Sequence, residues 1–195
     1  MALKTTELLS DLTQRTQRNL QTAQAWLQLP LEQLQYKPSA DTWSVLEGVE
    51  HLNLYGDFYL PEMKQQMDNS NYKTVTPTFK SSWLGNYFAK AMLPKEKLNT
   101  MKTFADKNPN GSTLDKTVLE KFIAQQKETL QLLQQAAQVN LTKTKTGITI
   151  SSWIRLRLGD TFRVVIYHND RHRIQATQVL NQLPANLGHP SKMEL

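Results

Sequence analysis

The sequence predicts an all-α chain, a single-domain four-helix bundle with a long crossover between its second and third helices. Three observations carry this. Four long segments repeat apolar residues at steps of three and four. Glycine occurs only 7 times in 195 residues, and Leu, Gln, Ala and Lys are abundant, which favours helix over sheet. The connections at 30–43 and 140–160 are short, whereas 69–111 is far longer than an ordinary loop.

The first helix is expected over 5–29, where Leu8, Leu12, Leu20, Ala23 and Leu27 form the apolar stripe and Pro30 ends it. Residues 31–42 contain Pro38, Ser39 and Asp41 and read as a connection. The second helix opens with Ser44 as N-cap and Glu47 three residues on, the capping-box spacing, and runs to about residue 68. Pro61 inside it predicts a kink or a break. The crossover carries a short helix over 81–93 that Pro94 closes. The third long helix covers 113–139, with Val118, Leu119, Phe122, Ile123, Leu130, Leu133 and Ala137 on its stripe. In 140–152 a Thr-Gly-Ile-Thr-Ile-Ser alternation allows a short extended piece, but no alternation is strong enough for a real sheet. Trp153, Ile154, Leu156 and Leu158 read as a helical turn or an extended anchor. The last helix starts at Gly159-Asp-Thr161 with Asp160 as N-cap and runs to about 183; residues 184–195 read as a tail.

The absence of cysteine excludes disulfides, thiolate ligands and a cysteine nucleophile. The net charge of +6 is spread along the chain with no block of like charges, so it reads as a solvated basic surface, Arg155, Arg157, Arg171 and Arg173 included. No zinc-finger spacing, phosphate loop or nucleophile elbow occurs, and no nucleic-acid partner is expected. The first ten residues lack the apolar core of a signal peptide, and no apolar run reaches membrane-span length. A cytoplasmic protein without a membrane partner is the expectation.

The chemistry-bearing residues are histidines. His168 and His172 stand four apart, on one face of the last helix and about one turn from each other. That face also carries Val165, Ala176 and Val179, whereas Asp170, Arg171, Arg173 and Gln178 point elsewhere. Two imidazoles buried a turn apart leave two ring nitrogens in need of partners, and one metal ion satisfies both. His51 shares its face of the second helix with Leu54, Tyr55 and Phe58 and looks inward. Three imidazoles suit a divalent Zn, Ni or Fe ion and leave a coordination position open for water, a thiolate or a carboxylate. Glu47 and Gln175 are the candidates, from spacing, to orient ring N–H groups, although capping accounts equally well for Glu47. Tyr55 is a candidate to line the pocket. Tyr167 reads as a core or rim aromatic, and His189 in the tail as exposed and without function.

Two motifs resemble a known family. Trp43-Ser-Val-Leu-Glu-Gly-Val-Glu-His-Leu52 resembles the second-helix motif of the DinB/YfiT-like metalloenzyme superfamily. Ile154-Arg-Leu-Arg-Leu-Gly-Asp-Thr-Phe162 with His168-Asn-Asp-Arg-His-Arg-Ile-Gln175 resembles the last-helix motif of its DinB-like branch. The resemblance implies an up-up-down-down bundle, a divalent metal on His51, His168 and His172, and often a homodimer. It implies a metal-dependent hydrolase, or a transferase using a low-molecular-weight thiol, acting on a small-molecule substrate. A non-catalytic, stress-related bundle that binds a metal or small ligand is the alternative.

Overall fold

The computed structural model describes residues 2–94 and 103–188, and it is mostly helical. His189 and the tail beyond it lie outside the described residues. The elements are β1 (Ala2–Lys4), α1 (Thr5–Leu27), α2 (Leu31–Gln35), α3 (Val45–Asp68), β2 (Thr78–Lys80), α4 (Trp83–Met92), α5 (Thr117–Ala136), β3 (Lys145–Ile148), β4 (Ser151–Arg157) and α6 (Leu158–Leu180). Short 3-10 turns at Ala105–Lys107 and Ala185–Leu187 complete the list.

The four long helices arise where the periodicity places them. At the start of α3 the Ser44 side chain accepts from Glu47 N at 3.1 Å, and the Glu47 carboxylate accepts from Ser44 N at 2.8 Å. This capping box satisfies two of the donors that every helix start leaves orphaned. Pro61 does not break α3, which is continuous through it. The expected connection over 31–42 contains a short helix instead, entered from Pro30, whose fixed φ suits that position.

Two core clusters fix how the helices run. Leu8 and Leu12 of α1 share one cluster with Tyr59, Leu60, Met63 and Met67 of α3, Leu132, Leu133 and Ala136 of α5, and Phe162 and Ile166 of α6. The other joins Ala23 and Trp26 to Val45, Leu46, Val49 and Leu52, to Val118, Leu119 and Phe122, and to Ala176 and Leu180. So α1 and α6 run one way, and α3 and α5 run the other. The order is up-down-down-up, which corrects the up-up-down-down order implied by the family resemblance. The reason lies in the connections. Two consecutive parallel helices need a long return, and the crossover after α3 supplies it. The segments before α3 and after α5 each stay at one end of the bundle, so the helices they join run antiparallel, across the diagonal rather than side by side.

Two small antiparallel sheets depart from a purely helical chain. β1 pairs with β2 through Ala2↔Lys80, Leu3↔Phe79 and Lys4↔Thr78. β3 pairs with β4 through Lys145↔Arg157, Thr146↔Leu156 and Ile148↔Ser151. The inner face of the second sheet carries the buried Thr146, Ile148 and Leu156. Trp153 is not an anchor: it lies in β4 and is 93% exposed.

α6 begins earlier than expected, with Arg157 at the N-cap position and no side-chain cap. Asp160 is therefore inside the helix, fully buried. It accepts from Ser81 Oγ at 2.5 Å, from Ser82 N at 2.9 Å and from Ser82 Oγ at 3.0 Å, with Arg163 at 3.3 Å. This ties the start of α4 to α6. α4 covers one side of α6 while α1 and α3 cover others. Asp170, Arg171 and Arg173 are consequently buried rather than solvated, a correction to the expectation that they point away from the core. Arg15 Nη1 donates to Asp170 at 2.6 Å, the pairing a buried carboxylate requires.

Candidate metal centre

His51 sits on the second turn of α3, and His168 and His172 occupy successive turns of α6. Because α3 and α6 are antiparallel and packed together, residues 117 apart in sequence meet. His51 Nε2 lies 3.2 Å from His168 Nε2, and His172 Nε2 lies 3.0 Å from the same atom. All three ring nitrogens lie within 4.8 Å of one another. Among the described residues this is the one group of three or more His, Cys, Asp or Glu side chains placed to hold an ion.

The tautomer of His51 follows from its other nitrogen. Nδ1 faces the Lys107 carbonyl at 2.7 Å, and a carbonyl only accepts, so Nδ1 carries the hydrogen. In the neutral ring Nε2 then presents a lone pair toward His168. Neutrality is favoured throughout the cluster. Burial lowers the pKa of His51. Burial pushes His168 and His172 well below the usual imidazole range, and the neighbouring imidazoles and Arg171 push the same way. Gln175 hydrogen-bonds the His172 ring and partly opposes this.

Trp43 and Tyr55 enclose the cluster. The Trp43 ring lies 4.7 Å from His51, and it stacks on His172 at 5.7 Å. Tyr55 meets His51 and His168 edge-on, each at 5.0 Å. Burial first, then Tyr59 and Asp106, push the Tyr55 phenol up to about 12. A cleft of about 600 Å³ opens over the imidazoles, lined among others by Asp41, Trp43, Tyr55, Arg171 and Gln175.

The sequence model of the DinB superfamily matches residues 12–176, which include both motifs and all three histidines. The chain belongs to the DinB superfamily. No curated protein and no solved structure gave a match. In this DinB-superfamily chain the donor set fits a divalent ion on chemical grounds. His168 Nε2 carries at most one hydrogen, yet it faces two other ring nitrogens at hydrogen-bonding distance. One proton cannot serve both contacts, whereas a cation accepts three lone pairs at once.

The structure brings Tyr55 and Gln175 to the cleft. It places Glu47 one step back. The Glu47 oxygens accept from Ser44 N, from Gly111 N at 2.7 Å and from Lys37 Nζ at 3.1 Å. Gly111 belongs to the turn that follows Lys107, and its φ of 79° suits glycine. Glu47 therefore pins the segment whose Lys107 carbonyl orients His51. Sequence reasoning missed Lys107, Trp43 and the buried Arg171. Trp43 could have been found, because it directly precedes the N-cap of the helix that bears His51. Lys107 acts through its backbone, for which the residue type gives no signal.

Proposed function

We propose that this chain is a divalent-metal-dependent enzyme whose centre is His51, His168 and His172 within a single four-helix bundle. The observation that carries the proposal is the convergence of three imidazole Nε2 atoms beneath an open cleft. Zn, Ni and Fe are the ions that such a donor set suits. When bound, the ion supplies Lewis acidity, lowering the pKa of a nucleophile and stabilising negative charge on a substrate. The nucleophile is water or a low-molecular-weight thiol, and the reaction is hydrolysis or thiol transfer on a small molecule. A cytoplasmic homodimer completes the proposal, with light scattering as the check on the dimer.

The chain's own residues support this chemistry in distinct ways. The Lys107 carbonyl and Gln175 orient the His51 and His172 rings. Trp43 covers two imidazoles and keeps bulk water off one side of them. Tyr55 retains its proton far above neutral pH and can donate a hydrogen bond to a substrate oxygen. Arg171 places a positive charge near His168 and His172, which favours an anionic substrate group in the cleft.

Elemental analysis of protein purified from metal-replete medium tests the foundation. About one divalent ion per chain is expected in the native protein, and none in His168→Ala. Full metal content in that variant removes the assignment. Thermal shifts with thiols and with ester substrates then separate the chemistries. A shift by thiols only in the metal-loaded protein assigns transfer, and turnover of esters assigns hydrolysis. Stoichiometric metal with neither response returns the chain to a non-catalytic binding role.

A further inference from the structure

Positive charge that is dispersed in sequence becomes concentrated in the fold. Residues 69–94 contain Lys73, Lys80 and Lys90 and no Asp or Glu. Residues 129–159 contain Lys143, Lys145, Arg155 and Arg157 and again no Asp or Glu. These two acid-free segments pack together at the end of the molecule built on the first core cluster. α4 lies against β4. Arg157 Nη1 donates to the Lys80 carbonyl at 2.5 Å, and Lys80 N donates to Thr142 Oγ1 at 3.1 Å. Asn140 N donates to the Tyr72 carbonyl at 2.9 Å.

The carboxylates nearby are engaged elsewhere. Glu62 accepts from Gly147 N and stands 3.7 Å from Arg155, while Asp160 is buried among Ser81, Ser82 and Arg163. Among the described residues, Lys80, Lys90 and Lys145 have no carboxylate partner. Lys145 stands directly opposite Arg157 in the hairpin, so two like charges leave the sheet side by side, at a cost that a counter-anion relieves.

Large aromatics share these surfaces. Along β4, Trp153, Arg155 and Arg157 alternate onto the face opposite the buried Leu156. Ile150, at the hairpin tip, is 47% exposed. On α4 the exposed row is Trp83, Tyr87 and Lys90, at i, i+4 and i+7, and Trp83 is 83% exposed. The Trp83 and Tyr87 rings stack on each other at 6.2 Å.

We propose that α4 and the β3–β4 hairpin form a docking face for an anionic phospholipid surface, with the cations on headgroups and Trp153, Ile150 and Trp83 in the interfacial layer. Charge complementarity selects the occupant. Indole rings bordered by lysine and arginine match the amphipathic, negatively charged headgroup zone. A second copy is disfavoured, because a two-fold interface sets this face against itself and like charges meet. A single nucleic-acid strand stacks its bases on ring faces, in which the aliphatic Ile150 at the hairpin tip has no part, whereas an interfacial lipid layer takes it up with the indoles. No helix among the described residues is long and apolar enough to cross a membrane, so the association is peripheral.

The test is co-sedimentation of the full chain with vesicles of phosphatidylcholine alone, or of phosphatidylcholine and phosphatidylglycerol in equal parts. The chain is expected in the pellet only with phosphatidylglycerol and at low salt, with a blue shift of tryptophan emission, and it should be released at high salt. Neutralising Lys80 and Lys145 together (Lys80→Gln, Lys145→Gln) should weaken partitioning by about 25-fold, roughly fivefold per charge. Trp153→Ala should reduce both partitioning and the blue shift. These positions are exposed, and unchanged thermal unfolding will verify that the variants fold. Equal affinity for both vesicles, no binding to either, or binding indifferent to these substitutions overturns the proposal. So does tighter, salt-sensitive retention on single-stranded DNA, which gives the face to nucleic acid. So does a dimer that Trp153→Ala dissociates, which gives it to a second copy.

Discussion

The Glu47 carboxylate does not touch the histidines but acts on them through the backbone it holds. It holds Gly111 N and Lys37, and the same turn presents the Lys107 carbonyl to His51. Glu47→Gln should leave the helices intact by circular dichroism yet weaken metal binding about tenfold, the scale of lost outer-shell support, as read by chelator competition. Unchanged affinity would reduce Glu47 to a helix cap. Close packing gives a second residue-scale prediction. A Cβ at Gly159 would stand 2.6 Å from the ring of Phe79, which is fully buried. Gly159→Ala should cost about 1–3 kcal/mol in chemical denaturation. At this scale the sequence was legible where chemistry is carried by side chains with a helical period. His168, His172 and His51 could be placed from spacing and face. Lys107 could not, because any residue offers a carbonyl. Gly159 could not, because its requirement comes from Phe79 on a distant strand.

Elements were legible in proportion to their length. The capping residues of α3 announced its start, and Ser44→Ala should destabilise the protein by about 1 kcal/mol in thermal or denaturant unfolding. The strands β1 and β2 are three residues each, too short for alternation to register, and their pairing depends on contacts some 75 residues apart. α6 shows the limit of a helical wheel. A wheel assumes one buried face, but α1, α3 and α4 all pack on α6, so Asp170 and Arg173 are buried and must find ionic partners. Helix direction was not written in any one segment either. It emerges from which helix ends share a core cluster, and the long crossover accommodates the parallel step from α3 to α5.

For the whole molecule, the cluster predicts a pH dependence of defined sign. His51, His168 and His172 have lowered pKa values when folded, so below the ordinary value of 6.5 the unfolded chain binds protons that the native chain does not. Stability of the metal-free protein is therefore complete above that value and falls as pH drops through it toward the depressed folded values. The melting temperature at pH 5.5 should lie below that at pH 7.5, and replacing both His168 and His172 by Gln should flatten the slope. A second loss begins lower. Burial raises the Glu47 pKa, but hydrogen bonds from Ser44 and Gly111 and the charge of Lys37 outweigh it and leave it lowered. Its contribution is present above the ordinary value of 4.5 and disappears as pH falls through the depressed one. Chelation should lower the melting temperature at neutral pH, because an ion that binds only the native state stabilises it by mass action.

The meeting of His51 with His168 also has a temporal side. The two lie 117 residues apart. A chain emerging from the ribosome holds one ligand early and lacks the other two until α6 has followed. An ion held by all three can enter only after the last helix has docked against the third. Loading on all three thus follows the docking of α6 on α3, and a product truncated before α6 has no complete centre to fill. Metal content then reports on the integrity of the whole chain as well as on its chemistry.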